Sequence, residues 1–390
     1  MTEKLYWDNA YETKFTAKVI SINEEGLVLD KTLFYPESGN QASDVGSLKI
    51  KEINFKVEKV TKNAENILHH ISSDFKNIIN IGDLIEGEID WDYRYGVMKA
   101  HSSQHIFSAV IKNKYNIDTV RAILNFEDVF LQISQKLDYK QLKNILTEVN
   151  RICATNNLKV NSRIISRKEA EKTSEKIRSD IPSESQVRLI EIEDLDLVCC
   201  GGTHVKNTTE IGTIFIYEFK KGNEIRYVVG NKALEMSSNM DLDLIALAND
   251  VNSPVTKLKE LLKKRLELIE DIQEQHKDLS IKLLESISKS PLKIINNISL
   301  FYIDFNVDIK LLNKSLDKFP SNSLIVVQFE GNKIRLLSPN EIIDSNKLLQ
   351  KLIKIYGGKG GGSPKSSQGF LKKLPENLLS EIELLFDLIL

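Results

Sequence analysis

His101-Ser-Ser-Gln-His105 and Cys200-Gly-Gly-Thr-His204 are the two stretches on which the reading of this chain turns. They set HxxxH ahead of CxxxH, drawing four metal-type ligands from a chain that holds only six histidines and three cysteines. Histidines four apart lie on one face of a helix, and a thiolate with a third imidazole completes the tetrahedron that zinc favours. Asp92 can cap such a helix, whose stripe Val97, Met98, His101, His105 and Ala109 turns the ligands inward. Two histidines at this spacing are by themselves more often core or surface residues. CxxxH is the sharper signal, because the glycines between its ligands permit a tight turn that brings Sγ and imidazole onto one centre. That spacing selects Cys200, whereas Cys199 and Cys153 read as ordinary buried thiols.

Working outward, the fold class is α+β. Before the first motif, Phe15, Ala17 and Val19 alternate with polar residues, Asn23-Glu-Glu-Gly26 makes a turn, and Leu27-Val-Leu29 returns. Strand-like pieces at 48–60 and 84–90 complete a small β-barrel with a glycine-rich segment over residues 1–90. Residues 91–238 mix a helix at 139–153 with strands near 159–166, 187–193 and 212–219, an α+β core that holds the metal. Residues 239–288 read as a helical spacer or hairpin. Ser253-Pro254 supplies an N-cap followed by proline, and Leu258, Leu262, Arg265, Ile269, Ile272, His276, Leu279 and Leu283 form a heptad seam that offers a dimer contact. Arg265 and His276 interrupt the seam, and His276 reads as a polar seam residue. Residues 289–390 alternate strands with a helix at 340–355 and read as a separate C-terminal α/β domain.

With 390 residues, 41% hydrophobic and 28% charged, the chain has length for two or three domains with proper cores. Three cysteines, no apolar segment after Met1-Thr-Glu-Lys and no apolar run long enough for a membrane point to a reducing cytoplasm. Net charge is −2, so a nucleic-acid partner has to be sought in local patches. One such patch runs from Lys351 to Lys373, with six lysines, no carboxylate and the cluster Gly357-Gly-Lys-Gly-Gly-Gly362. Backbone N–H groups freed by glycine and flanked by ammonium groups can approach a sugar-phosphate backbone closely. A solvated loop is the plainer reading of the same composition.

Residues 30–46, Asp-Lys-Thr-Leu-Phe-Tyr-Pro-Glu-Ser-Gly-Asn-Gln-Ala-Ser-Asp-Val-Gly, resemble the glycine-rich segment of alanyl-tRNA editing domains, and Cys200-Gly-Gly-Thr-His204 resembles their signature. Asp90-Trp-Asp-Tyr-Arg94 leads into HxxxH in the same manner, and Arg226-Tyr-Val-Val-Gly230 resembles the strand closing that core. Tyr356-Gly-Gly-Lys-Gly-Gly-Gly362 with Gln368-Gly369 is similar to the C-terminal domain of alanyl-tRNA synthetase, although Ser363 and Lys365 stand where arginine and an acid are common. Together these cover nearly the whole chain, which therefore resembles the long form of the free-standing AlaX editing family.

That resemblance implies a zinc-dependent hydrolase that removes serine, and with it glycine, wrongly attached to tRNA(Ala). His101, His105, Cys200 and His204 would bind Zn2+. Four protein ligands would resemble a closed structural site, so for catalysis one position falls to water or the shell expands. Thr32 would face the serine side chain, Gln41 would orient water or the ester, and Gly39 would admit the backbone. Asn40 replaces a glycine common in the family, which predicts a positive φ. Gly357, Gly358, Lys359, Gly360, Gly361 and Gly362 would meet the tRNA. ATP and membranes have no part in this chemistry, and a chain beginning beside the editing barrel leaves no room for an aminoacylation domain.

Three other readings compete. A zinc protease would need glutamate where Ser102 stands, and a phosphoesterase would need an Asp-His-His cluster where Leu68-His69-His70 stands. Threonyl-type editing of seryl-tRNA(Thr) and a non-catalytic tRNA-binding protein with structural zinc remain alternatives.

Overall fold

Within residues 14–89 the alternation of apolar and polar side chains becomes six strands closed into a barrel, in the order Lys14–Ile22, Gly26–Leu29, Asn66–Ile71, Ile53–Asn63, Gly46–Ile50, Leu84–Ile89. This computed structural model describes residues 2–63, 66–71, 75–305 and 307–386. Inward residues Val19, Leu29, Leu48, Val57 and Ile85 fill the barrel, joined by Leu33 and Phe34 from the glycine-rich segment. Closure brings backbones near side chains. A Cβ on Gly87 would lie 2.2 Å from the Phe15 ring, so a side chain there would displace that ring.

The barrel runs directly into the long helix Trp91–Tyr115, which carries HxxxH. Its cap is Asp90, whose carboxylate accepts from the Tyr93 N–H at 3.0 Å, while the expected cap, Asp92, sits in the first turn. There a carboxylate still complements the helix dipole. Behind the helix lies a four-stranded antiparallel sheet, Ile214–Lys220, Glu224–Val229, Asp128–Ile133, Thr119–Asn125, and helix Tyr139–Arg151 joins the same core. A separate three-stranded sheet, Val160–Ser166, Gln186–Ile192 and Asp196–Cys199, ends immediately before Cys200.

The barrel and the metal helix are tied by one buried ion pair. Arg94 is fully buried, and its Nε donates to Asp44 Oδ1 at 2.8 Å while Nη2 donates to Oδ2. The remaining donors reach the carbonyls of Ala10 at 2.9 Å and Leu33 at 2.6 Å, and Asp44 also accepts from the Tyr35 N–H. Asp44 and Leu33 belong to the glycine-rich segment, so this guanidinium fixes that segment against the helix that bears two ligands.

The chain divides into two compact units, Met1–Leu247 and Ala248–Leu390, the break falling inside helix Gly230–Asp250. In the second unit a six-stranded sheet runs Lys293–Ile295, Ile298–Ile303, Ser323–Phe329, Lys333–Leu337, Ser366–Leu371, Gly358–Gly362, with one parallel pair. Helices Ser345–Tyr356 and Leu378–Phe386 cover one face. On the other, Leu284 and Leu312 pack against Ile325, Val327 and Leu337. The helix of the spacer is Leu258–Ser288. Pro254 is extended (φ −60°, ψ 143°) and a 3-10 turn follows it, so the helix begins four residues beyond the expected start and Ser253 does not cap it. Of the heptad seam, Leu258 is buried, whereas Leu262, Ile269, Ile272, Leu279 and Leu283 are exposed. Among the described residues no helix is long and apolar enough to cross a membrane.

Replacing Arg94 by methionine leaves Asp44 buried without its partner, and about 3–5 kcal/mol of stability should be lost. Arg94→Met combined with Asp44→Leu should recover a large part of that. Urea unfolding followed by tryptophan fluorescence checks this, since Trp7 and Trp91 both report the first unit. Equal losses in the single and double variants would contradict the account.

Candidate metal centre

Two elements bring the ligands together. His101 and His105 project from one face of the helix and are buried. The segment Cys200–His204 leaves strand Asp196–Cys199 and is pinned by its own carbonyls. Arg188 Nη1 donates to Cys200 O at 3.1 Å and to Gly202 O at 2.7 Å, while Trp7 Nε1–H donates to Gly201 O at 2.8 Å. Gly202 cannot be replaced without cost. A Cβ there would lie 2.2 Å from His101 Cε1 and 2.5 Å from Gln41 Oε1, whereas at Gly201 the nearest atom would be 3.8 Å away.

The result is one convergent donor set: ligand atoms of His101, His105, Cys200 and His204 all lie within 4.8 Å of one another. His105 Nε2 is 3.1 Å from His101 Nε2, and Cys200 Sγ is 3.4 Å from His101 Nε2 and 3.3 Å from His204 Nε2. A tetrahedron with Zn–N and Zn–S arms of about 2.0–2.3 Å has edges of about 3.3–3.6 Å, so the residues present fit a zinc ion.

Two of the three rings have a hydrogen-bond partner on their far side. His101 Nδ1–H donates to Gln41 Oε1 at 2.7 Å, which leaves Nε2 with its lone pair inward, and His204 Nδ1 pairs with Ser102 Oγ at 3.1 Å. His105 Nδ1 has no hydrogen-bond partner among the described residues; Asp196, held by two bonds from Arg178, is 3.9 Å away. Burial first, then neighbouring cationic groups, holds the three imidazoles far below their ordinary pKa, that of His105 at about 3. Burial likewise raises the Cys200 thiol. Neutral imidazoles are the form that binds metal.

A cavity of about 380 Å³ opens over His101, His105 and Cys200. Gly39 and Asn40 line it, with φ of 58° and 65°, the latter the positive value expected for Asn40. Gln41 lies beneath it with both ends of its amide in use. Oε1 also accepts from the Thr203 N–H at 3.1 Å and Nε2 donates to Thr203 Oγ1 at 3.0 Å, so this side chain orients His101 and the CxxxH turn. Thr32 is outside the cavity lining. Its hydroxyl pairs with His69 Nε2 at 2.8 Å and accepts from the Phe34 N–H at 3.0 Å, inside the barrel wall. Cys199, taken from sequence as buried, is half-exposed and lines the cavity, but its sulfur is not in the donor set. Gly357–Gly362 lies in the second unit. Arg188, Trp7 and Ser102 escaped the sequence reading, since none has a spacing that announces its partner.

The two glycines give a matched test. Gly202→Ala should lower zinc affinity about 10–100-fold, as loss of ligand support does, while Gly201→Ala should stay within a few-fold. Competition with a chromogenic chelator reads both, and similar affinities for the two variants would contradict the assigned turn geometry.

Two segments of the chain match known families. Residues 6–93 match the family described as tRNA synthetases class II (A), and residues 187–229 match the threonyl and alanyl tRNA synthetase second additional domain. The alanyl-tRNA editing protein AlaX-L of Pyrococcus horikoshii is 28% identical over 97% of this chain and 96% of its own length. Alanine–tRNA ligase of Sulfurisphaera tokodaii is 31% identical over 93% of this chain, which spans 41% of that protein. Among solved structures, the C-Ala domain of Aquifex aeolicus alanyl-tRNA synthetase is 18% identical over 25% of this chain and 96% of that one, at a TM-score of 0.20, too low to assign a fold. The chain is thus similar, end to end, to the alanyl-tRNA editing protein AlaX-L, and two of its segments match synthetase-related families.

Proposed function

We propose that this protein hydrolyses the ester of tRNA(Ala) mischarged with serine, and also with glycine, releasing the free amino acid and intact tRNA. The observation that carries the reading is the convergence of His101, His105, Cys200 and His204 beneath a cavity walled by Gly39 and Asn40. Such a reaction is needed because a pocket built for alanine cannot strongly exclude glycine, nor an analogue that adds only a hydroxyl.

Zinc held by the four ligands would supply a Lewis acid for the ester carbonyl. The chain's own residues do the rest. Gln41 holds the His101 ring with Nε2 inward and fixes the turn through Thr203, so it acts on the reaction through a ligand. Gly39 and Asn40, free of bulky side chains over the cavity mouth, let the backbone approach the terminal ribose. Thr32 would recognise serine by exchanging its bond to His69 for one to the substrate hydroxyl. In the second unit, Gly357, Gly358, Lys359, Gly360, Gly361 and Gly362 would contact the tRNA backbone. The action would be cytoplasmic, without ATP or membrane, and a homodimer through the spacer or C-terminal domain belongs to the same proposal. A second reading draws on the donor set itself. Four protein ligands within reach of one ion are the pattern of a closed structural site, which would make the protein a non-catalytic tRNA-binding factor.

Deacylation assays with purified protein distinguish substrates. Seryl-tRNA(Ala) should be hydrolysed at least about tenfold faster than alanyl-tRNA(Ala), the scale on which a buried polar contact discriminates. Equal rates on all esters would refute the substrate assignment. Thr32→Val should slow hydrolysis of the seryl ester more than that of the glycyl ester, since glycine offers no hydroxyl. An unchanged seryl-to-glycyl ratio would confine Thr32 to the barrel.

A further inference from the structure

The helices that pack on the six-stranded sheet of the second unit leave half of one face open. Leu284, Leu312 and Phe319 cover that face over Ile325, Val327 and Leu337. Beyond them lies a cavity of about 1000 Å³ whose lining includes Phe305, Phe329, Lys333, Lys359 and Phe370.

Strand register explains how these side chains share one surface. Phe329 pairs with Lys333, Lys333 with Phe370, and Phe370 with Lys359, each pair directly opposite on neighbouring strands. Directly opposed residues point to the same face, so four adjacent strands present one row, Phe-Lys-Phe-Lys, at about 4.8 Å per step. Two residues along, Val327, Arg335, Gln368 and Gly361 make the parallel row. There Arg335 Nη2 donates to Ser366 Oγ at 3.1 Å, and its buried Nε has no partner among the described residues.

The glycines separate into two groups by the same test. A Cβ on Gly360 would lie 2.5 Å from Gly369 Cα, so packing requires that glycine, and one on Gly369 would lie a tight 3.0 Å from Leu349. A Cβ on Gly361 would meet nothing within 4 Å. Its place beside Arg335 and Gln368 is therefore not explained by the fold, and it keeps the backbone bare on the open face.

We propose that this half-sheet binds an unpaired stretch of RNA, its bases stacked on Phe370 and Phe329 and its phosphates met by Lys333 and Lys359. Aromatic rings on an open sheet face offer stacking to any base, and interleaved cations meet the backbone at the same spacing. Gly361 lets the sugar-phosphate chain lie against the strand, with Arg335 Nε left as a donor. Asp304 and Glu330, also in the lining, repel phosphate at that end and accept N–H groups from a base edge. The proposal rests on tRNA being the partner of this protein, and it specifies unpaired nucleotides as what the second unit takes.

Anisotropy with a fluorescein-labelled single-stranded RNA hexamer, and with the same hexamer annealed to its complement, tests the full-length protein. Wild type should bind the single strand more tightly than the duplex. Phe370→Ala should weaken hexamer binding about tenfold or more, Phe370→Tyr should stay near wild type, and Gly361→Val should weaken binding without lowering the melting temperature. Phe370 is 38% exposed, and the melting temperature of Phe370→Ala, expected to stay near wild type, separates lost binding from lost folding. Hexamer affinity that is undetectable in wild type, or equal in wild type and Phe370→Ala, overturns the proposal. Seryl-tRNA(Ala) hydrolysis by the same preparations separates the two readings. Hydrolysis without hexamer binding removes this site alone, and Phe370-dependent binding without hydrolysis of any aminoacyl-tRNA upholds the site and removes the editing reading.

Discussion

Three imidazole nitrogens and one sulfur converge on a buried space that suits a cation. The donor atoms stand 3.1–3.4 Å apart, the separation of ligands around one ion, and burial keeps the rings in the neutral form that binds metal. Much of the first unit is organised to hold that arrangement. Gln41 and Ser102 orient two of the rings, Arg188 and Trp7 take the carbonyls of the CxxxH turn, and Gly202 removes the one Cβ that would strike His101.

Those groups come from distant parts of the chain, and their relative placement depends on a second buried contact. Arg94 joins the helix that carries HxxxH to Asp44 and Leu33 of the glycine-rich segment, from which Gly39, Asn40 and Gln41 also arise. Buried ion pairs of this kind seldom add net stability against an apolar replacement, yet losing one partner is costly. Here the pair sets the distance between the cavity wall and the ligands.

The convergence of His101, His105, Cys200 and His204 was legible in the sequence because HxxxH and CxxxH have fixed reach, and so was the barrel, whose alternation persists through residues 15–29. The positive φ at Asn40 followed from the resemblance, since asparagine stands there in place of a glycine. The supporting contacts could not. Arg188 meets carbonyls 12 and 14 residues away on a neighbouring loop, and Trp7 one 194 residues away, distances at which no periodicity operates. Helix starts were misplaced at Asp92 and Ser253 for local reasons, since several acids near a helix end can each serve as a cap and a proline in extended conformation delays the helix behind it. The lysine and glycine run near Gly357 gave a surface without a shape. Only strand pairing reveals that Lys359 stands opposite Phe370 and Lys333 beyond it.

Whether the metal centre acts on an ester or only fastens the turn to the helix is the claim on which the functional account stands. The direct measurement is seryl-tRNA(Ala) deacylation by protein stripped of zinc with chelator and then reconstituted, with circular dichroism recorded at each stage. The account predicts that stripping abolishes turnover while the folded spectrum persists, and that zinc restores the rate. Undiminished turnover in the stripped, folded protein would contradict it.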